Sequence, residues 1–440
     1  MLTWTLAASI LSAALPWQGL PSCADASKAM TLPVLTAQAA LGDLEAACAL
    51  GVRYSEGDGA PRDFVKAREW LLEASNAGNA EAQRRLGRIY DFLDPSSRDS
   101  VQALAWYEKA ADQGDPVALY ELSRRFRSGD NVPKNLSKRT VLLKKAAESG
   151  YAPAQSDLAR AFYDGEGVER SLSSAAHWYE KAASQGYAEA QFNLGVTYAQ
   201  GEGIPRDCDK AAFWYRKAAA EHYASALFNL GGMNHDGDCI PENLEAARRY
   251  WMQAVEAGHA GACNNLGNMY SKGEGVPRDE TEANRWYLKG AEGGDPRARA
   301  TIGFRFMNGL GVPFDYAKAV TWSRLAADAG MPDAMVNLGW MYYSGHGVPQ
   351  NGKLALEWTL KAAESGGPSA GQAQFNMGVY YRDGINGIPR DYSLAYVWFT
   401  RAGWSGMTQG QNRADIVAGL MDPGELARAR KTLGLDRSSN

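Results

Sequence analysis

Apolar and polar positions along this chain recur with a fixed step. Leu50, Leu86, Leu122, Leu158, Leu194, Leu230, Leu266, Ile302 and Leu338 follow one another at intervals of 36 residues. A large residue recurs in a second register: Trp70, Trp106, Leu142, Trp178, Trp214, Tyr250, Trp286, Trp322 and Trp358. The tenth copy carries Met377 and Trp398, displaced by insertions near 366–369 and 384–387. Within one copy, Ala190, Leu194, Gly195 and Tyr198 fall at helical spacing, and so do Ala211, Trp214, Tyr215 and Ala218. Between them, Gly201-Glu-Gly203-Ile-Pro205-Arg-Asp207 stops the first helix and offers Asp207 as N-cap of the second. Gly186 and Gly258 end second helices, a place that His222 takes in between. Each copy therefore predicts two antiparallel helices of about a dozen residues. A lone hairpin leaves its apolar stripe in water, whereas stacked neighbours bury it. The expected fold is all-α: a right-handed superhelical solenoid of stacked antiparallel helix pairs with 36-residue repeats. The Trp and Tyr of the second helices are expected to fill the gaps between layers.

The motif in these copies is Ala-x-x-x-Leu-Gly-x-x-Tyr, then Gly-x-Gly-Val/Ile-Pro-x-Asp, then Lys-Ala-x-x-Trp-Tyr-x-Lys-Ala-Ala-x-x-Gly. It resembles the Sel1-like repeat family, a relative of the tetratricopeptide repeats, and about ten copies span residues 44–406. Two copies are degenerate. Asp94-Pro95-Ser96-Ser97 replaces the glycine loop in one, and Ser123 and Leu142 replace the usual Gly and Trp in the next. Residues 27–43 read as an N-terminal capping segment. Residues 407–440 read as a C-terminal helical cap whose last helix starts at Asp422-Pro423-Gly424-Glu425. The resemblance implies an adaptor or scaffold that binds proteins, with no cofactor.

Leu2 to Leu15 is a mostly apolar run, too short for a transmembrane helix and suited to a signal-peptide core. Residues 1–26 are expected to be a signal peptide, with cleavage at Ala24-Asp25-Ala26. Leu20-Pro21-Ser22-Cys23 also has the outline of a lipoprotein box, with an atypical proline, so a lipid anchor at Cys23 is the lesser variant. The expected location is periplasmic or secreted, with the cytoplasm as alternative. No later stretch is apolar enough for an integral membrane span.

Composition changes this picture little. The 47 glycines are accounted for by the turns, and a net charge of −4 disfavours a globally basic nucleic-acid binder. Five cysteines are too few for a disulfide framework. Cys48 and Cys263 lie on first helices and read as small apolar residues. Cys208 and Cys239 lie at neighbouring turns and form a disulfide candidate. His177, His222, His235, His259 and His346 show no metal-ligand spacing, so no metal is expected. Ser-x-x-Lys and His-Glu-x-x-His are absent from the sequence. Gly367-Pro368-Ser369-Ala370-Gly371 matches a nucleophile elbow, and Gly347 to Lys353 a phosphate loop, but both follow a predicted helix instead of a strand. No catalytic residue and no enzyme activity is expected.

A helical-hairpin solenoid usually lines its concave face with first-helix residues. The non-core positions that point there are expected to be Arg84, Arg88, Tyr120, Arg124, Arg127, Arg160 and Tyr163, then Phe192, Phe228, Asn264, Asn268, Phe304, Trp340, Tyr343 and Phe375. This predicts an arginine-rich end followed by a strip of aromatics and amides. The arginines suit an acidic protein or peptide. Two alternatives accompany this reading. One is glycan or peptidoglycan-fragment binding by the aromatics and amides. The other is a β-lactamase-like hydrolase, a label attached to a cysteine-rich subgroup of the family.

Overall fold

A computed structural model describes residues 23, 30–385 and 387–435. The expected leader, apart from Cys23, lies outside the described residues. The described chain is all-α, with 23 α-helices and a lone bridge between Ile385 and Ile388. It divides into two compact units, 1–221 and 222–440.

In the first unit, α1 (Leu32–Ala40) precedes five helix pairs: α2/α3 (Leu44–Glu56, Phe64–Asn76), α4/α5 (Ala80–Arg88, Ser100–Asp112), α6/α7 (Pro116–Ser128, Leu136–Glu148), α8/α9 (Ala152–Asp164, Leu172–Ser184) and α10/α11 (Ala188–Gln200, Cys208–Ala220). The second unit continues with α12/α13 (Ala224–Asp236, Leu244–Glu256), α14/α15 (Gly261–Lys272, Glu280–Glu292), α16/α17 (Pro296–Asn308, Tyr316–Asp328), α18/α19 (Pro332–Ser344, Gly352–Glu364) and α20/α21 (Pro368–Asp383, Tyr392–Trp404). Two further helices, α22 (Thr408–Ala418) and α23 (Pro423–Thr432), follow. Within each unit every helix up to α22 packs on its neighbours in sequence, and α23 packs back on α21. First helices of successive repeats also touch, as α2 does α4, and α16 does α14 and α18.

Local chemistry sets the helix ends. Every second helix of a pair begins at an Asp, Asn or Ser whose side chain accepts from the first-turn backbone, as Asp207 does from Lys210 N–H at 3.0 Å. Most first helices end on a left-handed glycine such as Gly201, at φ 74°. The recurring apolar register, Leu50 through Met377, is buried in all ten copies. The glycine that usually follows it lets the second helix approach. A Cβ on Gly195 would lie 2.6 Å from the Tyr215 ring, and one on Gly231 2.3 Å from Trp251.

The recurring tryptophan is not the layer-filling core residue expected from the pattern. It is half-buried in every copy, Trp214 included, while the residue after it is buried: Leu71, Tyr107, Leu143, Tyr179, Tyr215, Trp251, Tyr287, Ser323, Thr359 and Phe399. A lysine one turn on covers several of these rings, at 3.9 Å for Lys109 over Trp106 and 4.4 Å for Lys181 over Trp178. The second copy breaks the turn pattern. Its first helix runs into a π-helical turn, Ile89–Leu93, and a short 3-10 turn, Pro95–Ser97.

Candidate functional site

Four of the five arginines expected on the first-helix face are already ion-paired. Arg84 sits 3.1 Å from Asp115 and 3.5 Å from Glu81, Arg124 is 3.3 Å from Glu121, and Arg127 is 3.0 Å from Glu166. Arg160 pairs with Asp157 and, at 3.3 Å, with Glu189. Tyr120 donates to Asp157 at 3.1 Å and meets Tyr151 edge-on at 5.5 Å. Burial pushes the Glu121 carboxyl above its usual range, although Arg124 and Arg125 oppose this. The Glu202 carboxylate pushes the Tyr163 phenol up. The arginine-rich end is thus a network of alternating charges, and Arg88 is the one member of the five with no carboxylate at ion-pair distance among the described residues.

In the second unit the expected aromatics and amides mostly engage their neighbours. Phe228 stacks on His259 at 4.3 Å, Tyr343 stacks on Tyr380 at 4.3 Å, and Phe375 meets Phe399 edge-on at 5.3 Å. Asn264 accepts from Thr301 at 3.3 Å, and Asn268 from Tyr287 at 2.7 Å. Burial and the nearby Asp383, to which Tyr343 donates at 3.1 Å, push the Tyr343 phenol up to about 12. Phe304 is exposed, at 44%. Trp340 stacks on His346 at 4.9 Å, His346 lies 4.6 Å from Tyr316, and Tyr316 lies 6.5 Å from Phe314, itself 67% exposed. In the first unit, Phe192 lies at 5.9 Å from Tyr215.

Ten successive segments, 44–79, 80–115, 116–151, 152–187, 188–223, 224–259, 260–295, 297–331, 332–367 and 371–403, match the Sel1 repeat model. The chain belongs to the Sel1 repeat family. It is similar to c5321, a protective antigen of uropathogenic Escherichia coli displaying an SLR fold: 27% identity, 93% of this chain and 98% of that one, TM-score 0.59. It is also similar to a Sel1 repeat protein from Oxalobacter formigenes: 31% identity, 69% of this chain and 88% of that one, TM-score 0.55. No curated protein matches it. Sel1-repeat proteins are generally protein-interaction scaffolds, and the fold is typically non-enzymatic.

Three buried arginines of these Sel1 repeats escaped the sequence reading. Arg125 holds Asp91 at 2.8 Å and lies over the Tyr107 ring at 4.8 Å. Arg305 bonds Glu280 and Asn284 and lies over Tyr287 at 5.3 Å. Arg139 reaches Glu166 at 3.2 Å. The 36-residue register carried the signal. Arg125 and Arg305 stand where Ile89, Met269 and Met341 are buried, and Arg139 replaces an alanine found at Ala67, Ala103, Ala175 and Ala211. Phe314 is likewise a departure, standing where Arg62, Arg170, Arg206 and Arg278 precede the N-cap.

The cysteines also differ from expectation. Cys48 is buried as expected, but it is joined to Cys23, with Cα atoms 5.7 Å apart. Cys23 is itself buried, and its backbone N–H donates to Glu81 at 2.7 Å. Cys208 and Cys239 are both disulfide-bonded, and Cys263 is a buried free thiol. Ser369 starts α20 and donates to Asp333, with helix α19 before it and no strand. Gly347 to Lys353 follows α18, again a helix. Among the described residues, no three His, Cys, Asp or Glu side chains converge as a metal site, and no helix is long and apolar enough to cross a membrane.

Proposed function

We propose that this chain is an exported Sel1-repeat scaffold that binds a protein or peptide through its first-helix face. The observation that supports this reading is a contrast within one register. The buried register from Leu50 to Met377 is Leu, Ile or Met in every copy. The outward register instead runs Arg88, Arg124, Arg160 in the first unit and Phe304, Trp340 in the second. Arginine and large aromatics are the side chains that carry binding energy at protein interfaces. An acidic partner suits the arginine end, and an aromatic-lined end suits apolar anchors. Crosslinking and pull-down from the source organism tests this. Arg124→Glu with Trp340→Ala is expected to weaken capture of a defined partner at least tenfold, whereas Lys144→Glu on the exposed side of α7 leaves it unchanged. Equal capture by all three proteins overturns the face assignment. Phe304 and Trp340 could also stack on sugar rings, and binding on a glycan array with none on peptides selects that reading instead.

Export is supported by the Cys23–Cys48 bridge, since disulfides persist in oxidising compartments. Cleavage after Ala26 would remove Cys23 and leave Cys48 without its partner. The mature chain is therefore proposed to start at or before Cys23. Because the Cys23 sulfur is committed to Cys48, a lipid thioether there is not proposed. Cys208–Cys239 remains the proposed second pairing.

A further inference from the structure

Arg88 stands apart from the charges around it. Arg84, Arg85, Arg124, Arg125, Arg127, Arg139 and Arg160 each have a carboxylate partner, and Arg88 has none among the described residues. It is half-buried at the end of α4. Arg84 and Arg85 on its own helix repel it. Glu121 on α6 attracts it but is held by Arg124 at 3.3 Å. Burial and the two neighbouring arginines push the Arg88 guanidinium below its ordinary value. Tyr107 on α5 buries a hydroxyl that also lacks a partner. A partly desolvated charge without a counter-ion costs stability, so the free protein holds this guanidinium at a loss.

What would complete it follows from its chemistry and surroundings. A guanidinium presents a planar fork of donors that a carboxylate matches in two parallel bonds. Beside it, the π-turn aims Phe92, 43% exposed, so that the guanidinium carbon lies 5.4 Å from the ring. This turn replaces the glycine loop of the other copies, and π-turns within helices are frequent at functional sites. An anion alone would leave the ring in water. A peptide residue with a carboxylate, next to one with an apolar side chain, satisfies both.

We propose that Arg88 anchors a carboxylate of a peptide partner, with an adjacent apolar side chain packed on Phe92. This rests on the reading of the first-helix face as protein-binding. The test uses the full chain and two blocked dipeptides, acetyl-Glu-Phe-amide and acetyl-Gln-Phe-amide, titrated by NMR, together with thermal melting. Wild type is expected to prefer the Glu peptide at least tenfold. Arg88→Met is expected to abolish that preference and to raise Tm by about 2–4 °C, because an uncompensated charge is gone. Lys144→Met, on the exposed side of α7, is expected to keep the preference. A lower Tm for Arg88→Met would mean an internal counter-charge and overturn the proposal. Equal binding of the two peptides, or binding of neither, overturns the carboxylate anchor. Those outcomes leave the broader protein-binding reading to the Arg124→Glu, Trp340→Ala capture experiment, which does not alter Arg88.

Discussion

The second to fourth repeats of the first unit and the eighth and ninth of the second place different chemistry on the same scaffold positions. Where the former carry Arg88, Arg124 and Arg160, the latter carry Phe304 and Trp340. Where the turns of the former carry Asp94, Asp130 and Glu166, the latter carry Leu310 and His346. In the first set the face is cross-linked by ion pairs such as Arg127–Glu166. In the second it is a run of rings, Trp340, His346, Tyr316 and Phe314. The buried register is shared: Leu122 and Leu158 in one, Ile302 and Leu338 in the other. Stacked repeats meet only their neighbours, so a face can change copy by copy without disturbing the core.

If the core is common to both units, equivalent core truncations cost alike. Tyr215→Ala in the first unit and Trp251→Ala in the second are expected to cost about 3–5 kcal/mol each, measured by chemical denaturation. The half-buried neighbours should matter much less, with Trp214→Ala and Tyr250→Ala at about 1–2 kcal/mol. A Trp214→Ala loss as large as that of Tyr215→Ala would return the tryptophan to the core.

The next effect belongs to the first unit alone. Reducing Cys23–Cys48, or Cys48→Ser, is expected to lower stability by about 3 kcal/mol, given the 25-residue separation. Non-reducing peptide mapping of the exported protein should recover Cys23 joined to Cys48. Mature chains that start after Cys23 would remove this difference between the units and with it the proposed maturation.

These cases mark what was readable from sequence. Periodicity located the helix pairs, caps and buried leucines, because each position is dictated by local geometry repeated ten times. It missed which of two adjacent rings, Trp214 or Tyr215, is buried, since a one-residue rotation of the stripe fits the same spacing. The unpaired state of Arg88 was also hidden. Pairing joins residues from different repeats, such as Arg84 with Asp115, and spacing along one helix does not encode it. The buried arginines were legible only as departures from the alanine and methionine registers.

Acid separates the units in a subtler way. In the second unit Glu280 is held down to about 2, from an ordinary 4.5, by Arg278 and Arg305. A folded-state pKa below the unfolded one means that the unfolded chain takes up protons first as pH falls. The contribution is therefore present above about pH 4.5 and lost as pH drops toward 2. Arg305→Met should flatten that part of the stability–pH curve. An unchanged slope in the variant would assign the acid sensitivity to other carboxylates.

The smallest effect compares two strained turns. His222 and Asn131 both sit at φ 56°, where non-glycine side chains are rarely found. His222 occupies the second-helix end that Gly186 and Gly258 fill in adjacent copies, at φ 86° and 92°. Asn131 occupies a turn position that Gly167 and Gly203 fill in the next two. Asparagine tolerates the left-handed region through its short polar side chain, while histidine does so less readily. Glycine removes the Cβ strain but adds freedom to the unfolded chain, so the two terms nearly cancel where the strain is small. His222→Gly is therefore expected to stabilise the protein by about 0.5–1 kcal/mol, and Asn131→Gly by close to nothing. Urea midpoints of the two variants measure the difference directly. Equal gains would mean that the turn conformation alone sets the strain; a loss for His222→Gly would mean that the imidazole makes a contact outweighing it.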